Sequence, residues 1–155
     1  MVTSAFSTGT NGDFQNTVNC NSQGLPNPLI ISHGDCIGIQ NNTQACVGNS
    51  RFRISATFAT PPSGSPTGQA QVVQYGTGDS ALFSFFGPQN IELLVNVLNF
   101  CAQSDNAYRV FAAGVTTAGV TVTVSDQVRG GSVTITNPLN QAFANVVVPI
   151  PGSCP

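Results

Sequence analysis

Residues 32–35, "SHGD", set the chain's single histidine, His33, between Ser32 and Asp35. Those are the residue types a hydrolase uses as base, nucleophile and orienting acid. The roles require a spatial arrangement that neighbours in one short loop rarely supply, and no G-x-S-x-G elbow accompanies them. His33 therefore reads as a turn residue facing water, and one histidine falls short of a histidine-based zinc or copper site. Calcium needs only oxygen ligands. Asp13, Asp79, Asp105 and Asp126 fall at expected loop or strand ends with Asn or Ser nearby, although none sits in a D-x-D-x-D-G loop. Asp79, Asp105 and Asp126 are the candidates for a structural calcium ion, against turn capping by aspartate; no other cofactor is expected.

Glu92 stands alone in the apolar run "FSFFGPQNIELLVNVLNFC", residues 83–101. A covered carboxylate must find a partner, so a structural ion pair with Arg53 or Arg109 across strands is expected. A glycosidase would need a second carboxylate facing it. The remaining acids read as loop or turn residues, so no catalytic residue is expected and the chain reads as a non-enzyme.

The chain has 5 cysteines, Cys20, Cys36, Cys46, Cys101 and Cys154, so at least one is unpaired within a monomer. Cys101 follows an expected strand and Cys154 nearly ends the chain; joining them would close a loop worth roughly 4 kcal/mol of unfolded-state entropy. The spacings fit neither a C-x-x-C redox motif nor a zinc knuckle. Cysteines together with the N-x-T glycosylation pattern at Asn41 favour an oxidising, extracellular location. The start, "MVTSAFSTGTNGDF", has no basic n-region or apolar h-region, so on the secreted reading Met1 replaces a removed signal peptide. No run approaches the ~20 apolar residues of a membrane span.

These residues need a frame, and 155 residues suit one domain with appendages. Charged residues make up 6% of the chain, which has no lysine and a net charge of -2. Without a basic stripe to neutralise phosphates, nucleic acid is not an expected partner. Low charge also removes the self-repulsion that keeps molecules apart, which permits self-association.

Residues 1–34 carry repeated turn signals, "GTNG", "NCNSQG" and "LPNP", and read as a loop-rich N-terminal arm; residues 35–155 form the domain. In "RFRISATFA", Phe52, Ile54, Ala56 and Phe58 alternate with polar residues at the period of a half-buried strand. "PPSGSPTG" turns the chain, and strands follow at "QAQVVQY", "ALFSFF", "NIELLVNVLNF", "AYRVFAAG", "GVTVTVSD", "SVTITNP" and "QAFANVVVPI". Ile91, Leu94, Val95 and Leu98 also fit a helical face, but "GPQN" reads as a hairpin turn with Pro88 at its second position, which favours strand. In "GVTVTV" the valines point inward and the threonines to water. Seven to eight short strands between turn signals predict an all-β, immunoglobulin-like antiparallel β-sandwich, with a small barrel as the alternative.

"RFRIS", "DSALFSFFGPQNIELLVNVLNFC", "YRVFAAGVTTAGVTVTVSD" and "TNPLNQAF" occur in the order of the blocks of a β-domain that recurs in secreted proteins of acidobacteria, myxobacteria and related bacteria. Residues 46–154 resemble that family, which has no settled function. Members often carry Trp where this chain has Phe85 and Tyr108, and Lys where it has Asn96. The resemblance implies that Cys36 and Cys46 close a short upstream loop, which leaves Cys20 as the spare, either an unreacted thiol or an intermolecular link. The resulting expectation is a non-catalytic extracellular module for binding, display or adhesion, with an extracellular glycan or another copy of itself as partner. The alternative is a self-assembling subunit of a filament or coat whose N-terminal arm pairs with a neighbour's open sheet edge.

Overall fold

A computed structural model describes residues 42–62 and 66–155. The expected arm over 1–34 lies outside them, as do Asp13, Cys20, Ser32, His33, Asp35, Cys36 and Asn41. The described chain is all-β: β1 (Gln44–Val47), β2 (Phe52–Ala59), β3 (Pro66–Gln69), β4 (Gln71–Thr77), β5 (Ser80–Ser84), β6 (Leu93–Phe100), β7 (Ala107–Gly114), β8 (Gly119–Asp126), β9 (Ser132–Asn137) and β10 (Val146–Ile150). They form two antiparallel five-stranded sheets. The first has the order β1-β2-β8-β9, with β3 pairing β2 beyond the end of β1; the second has the order β10-β7-β6-β5-β4.

Alternation along each strand sends one set of side chains inward. Phe52, Ile54, Val122 and Val124 from the first sheet meet Phe83, Val95, Val97 and Val110 from the second, all at 2% exposure or less. Register locks these sets together: Ile54 lies opposite Val124, Ala56 opposite Val122 and Val97 opposite Val110. A one-residue slip would turn either set to water. The result is a β-sandwich with its core between the sheets.

Ten strands stand where seven to eight are expected. β1 is only four residues long, and β3 lies in the Pro- and Gly-rich segment that reads as a turn. Both run along the outer side of β2, where a proline's missing N–H costs no ladder bond. The "GPQN" turn forms as expected, with Asn90 N donating to Gly87 O at 3.0 Å. β6 begins only at Leu93, and Ile91 is exposed rather than facing the core.

The barrel alternative survives only as a seam on one side of the sandwich. There Gly48 N donates to Gly78 O and Val72 N to Asn42 O, each at 2.6 Å, linking the segments around β1 and β4. On the opposite side β9 and β10 are edges, with no strand paired to their outer rims among the described residues. No helix occurs among the described residues, so none is long and apolar enough to cross a membrane.

Candidate ligand-contact surface

The charged residues of the domain are largely committed to holding it together. Arg51, just before β2, reaches Asp126 at the end of β8: Nε donates to Oδ1 and Oδ2 at 3.1 and 3.2 Å, and Nη2 donates to Oδ2 at 2.6 Å. Nη2 also donates to the carbonyl of Ser153, and the guanidinium lies over the Tyr108 ring at 4.4 Å. Asp126 Oδ1 further accepts from Val128 N and Arg129 N, closing the β8–β9 turn. Burial pushes the Asp126 carboxyl up, but Arg51 and the two backbone N–H groups outweigh it and hold it below the usual carboxylate range. The same hydrogen bond raises Arg51 above its ordinary value.

The expected pairing of Glu92 with Arg53 or Arg109 does not form. Glu92 is buried at 3% exposure, and its Oε2 accepts from Phe85 N at 2.6 Å while Oε1 accepts from the Asn90 side-chain amide. A backbone N–H and an amide inside its own hairpin loop satisfy the carboxylate, which therefore needs no cation. Arg109 instead pairs with Asp105 at 2.6 Å, four residues away, and lies over the Phe100 ring at 4.5 Å. That contact lowers Asp105 and raises Arg109 from their ordinary values. Arg53 Nε is buried without a hydrogen-bond acceptor among the described residues.

Cys101 and Cys154 form the expected disulfide, across 53 positions of sequence. Cys46 is also disulfide-bonded; its expected partner Cys36, like Cys20, lies outside the described residues. The calcium candidates are dispersed: Asp126 belongs to Arg51, Asp105 to Arg109, and Asp79 is exposed in the β4–β5 turn. No cluster of three or more acidic, histidine or cysteine side chains occurs among the described residues.

The outer faces of the two sheets differ in chemistry. On the first, Ser55, Thr123 and Thr134 form one cross-strand row, and Thr57, Thr121 and Thr136 the next. Ser125 and Ser132 extend the pattern toward Arg53, the one charged residue on this face of β2, β8 and β9. Strand geometry sets these hydroxyls on a grid of about 4.8 by 6.8 Å. On the second sheet, Leu94, Leu98, Phe111, Val147 and Pro149 point outward together with Asn96 and Arg109, with Leu94 36% and Val147 52% exposed.

At one end of the hydroxyl grid lies a groove of about 330 Å³. Its lining includes Thr57, Ala59, Gly119, Thr121, Thr136 and Leu139, with no charged side chain. Gly119 forms part of its floor, and a Cβ there would meet the Ala59 Cβ at 3.4 Å and the Leu139 Cβ at 3.5 Å, ordinary contact distances. The wall is the turn after β9, fixed by the buried Asn137 amide, which donates to Ala118 O, Pro138 O and Gln141 O at 3.0, 3.2 and 2.9 Å. Asn140, with φ of 66°, completes it by donating from N to Thr117 O. Phe58, which also lines the groove, is stacked on Phe85 at 4.9 Å, with the 64% exposed Phe86 edge-on at 5.3 Å.

Sequence reasoning missed Arg51 and the groove residues. The alternation in "GVTVTV" and "SVTITN" signals outward threonines, but only the register aligns them into rows. Nothing in "TNPLN" announces a groove wall. No family model, no curated protein and no solved structure matches the chain.

Proposed function

We propose that this chain is a non-catalytic extracellular module, an immunoglobulin-like frame that attaches to neutral glycan surfaces. The observation that carries the reading is the Ser/Thr grid across β2, β8 and β9, whose one charged neighbour on that face is Arg53. Each hydroxyl both donates and accepts, which is what a polysaccharide's own hydroxyls require. Rigid strands hold the grid, so little ordering cost accompanies contact. The Cys101–Cys154 disulfide supports the location, since such bonds persist in oxidising compartments.

Retention of the purified protein on insoluble cellulose, chitin, mannan and alginate tests this. At least one neutral polymer retains it, equally at low and at roughly 0.5 M salt, because few charges are exchanged. Thr121→Lys/Thr134→Lys places charges on the grid and abolishes retention. Absence of retention on every polymer removes the reading.

A second reading, a self-assembling structural subunit, is favoured by the exposed apolar side chains on the outer face of the second sheet and by the rims of β9 and β10, which have no paired strand among the described residues. The N-terminal arm would then pair with a neighbour's edge.

A further inference from the structure

We infer that the groove at Gly119 is a subsite for one neutral sugar ring of a polysaccharide chain, and that Gly119 sets what it admits. This rests on the glycan-binding reading and names the place and ligand class within it. The floor is carbon: Ala59, the Gly119 backbone and Leu139 offer a surface for the C–H face of a pyranose. The rim is hydroxyl: Thr57, Thr121 and Thr136 stand opposite one another on three adjacent strands. That combination, an apolar floor with a few fixed polar groups, is how small-ligand sites secure both affinity and orientation.

Charge decides against anionic ligands. With no charged side chain in the lining, a phosphate, sulfate or uronate would give up water without gaining a counter-charge. A neutral ring loses nothing of that kind. Size sets the occupancy: about 330 Å³ lies at the small end of ligand sites, suited to one ring with its neighbours running out over the hydroxyl grid. The wall is preorganised, because Asn137 is buried and donates to three backbone carbonyls of the chain itself.

Gly119 lies in a strand without a positive φ, and a Cβ there meets its neighbours at ordinary contact distance. Alanine is therefore tolerated, whereas the branches of valine would occupy the ring's space. Thr121→Val/Thr136→Val removes two rim hydroxyls at nearly constant shape and strand propensity, and provides a second variant should Gly119→Val fold poorly.

The test is a titration of the isotope-labelled full chain with cellohexaose, mannohexaose and xylohexaose, and with trigalacturonate as the charged probe, followed by amide chemical shifts. The expected result is saturable shifts centred on Thr57, Gly119, Thr121, Thr136 and Leu139 with at least one neutral probe and none with trigalacturonate. Thr121→Val/Thr136→Val weakens binding about tenfold or more, and Gly119→Val abolishes it while Gly119→Ala retains it. Shifts centred elsewhere, or polysaccharide retention unchanged in both the valine and the threonine variants, overturn the subsite and leave the glycan-binding reading standing. Failure to bind any soluble or insoluble glycan overturns both.

Discussion

Asp126 is fully covered, yet its carboxyl is held below the usual range because Arg51 and two backbone N–H groups converge on it. Removing one partner of such a pair leaves the other short of compensation, so Asp126→Asn is expected to cost about 2–3 kcal/mol, toward the low end because Arg51 is partly exposed. Urea unfolding at neutral pH measures it. The folded carboxyl titrates below the unfolded value of about 3.9. As pH falls, the unfolded chain therefore takes up the proton first. The pair's contribution is complete above about pH 5 and is lost progressively below about pH 4. Asp126→Asn consequently flattens the acid limb of the stability profile, and an unchanged limb would show that the pair contributes nothing.

Among the elements, the β5–β6 connection is the one whose sequence reads least simply, and a single carboxylate organises it. Glu92 accepts from Phe85 N and Asn90, donates its own N–H to Phe83 O and offers its carbonyl to Val115 N. It therefore ties the hairpin loop to itself and to the end of β7. Gly114 is required beside it, since a Cβ there would stand 2.8 Å from the buried Phe143 side chain. Glu92→Ala leaves the buried Phe85 N–H without its acceptor and is expected to destabilise by about 1–3 kcal/mol. Glu92→Gln keeps one acceptor oxygen and should lose less. Hydrogen exchange at Phe85 reads the difference directly: its amide accelerates strongly in the alanine variant and weakly in the glutamine variant.

For the whole molecule, the two outer faces differ in character, one dominated by hydroxyls and one by apolar side chains, with Arg53 on the first and Arg109 on the second. A chain with 6% charged residues has little charge with which to keep apolar faces apart. If the second reading holds, Leu94→Lys/Val147→Lys abolishes concentration-dependent association in sedimentation velocity while the fold, read by circular dichroism, is unchanged. A wild-type chain that stays monomeric at all concentrations, with and without reductant, would eliminate assembly.

The all-β class, the GPQN turn, the inward valines and the Cys101–Cys154 link were legible in the sequence, because period-2 alternation and turn chemistry are local properties. The short edge strands β1 and β3 were not, since pairing with β2 and not their own composition makes them strands. Nor was the choice of partners: Arg51 reaches Asp126 across 75 positions, and Glu92 and Arg109 find theirs within seven residues only through the shape of the folded loops beside them. The hydroxyl rows and the groove depend on the register of β2, β8 and β9 and on the turn held by Asn137. Alternation fixes which side chains face out; only the assembled sheet decides which of them become neighbours.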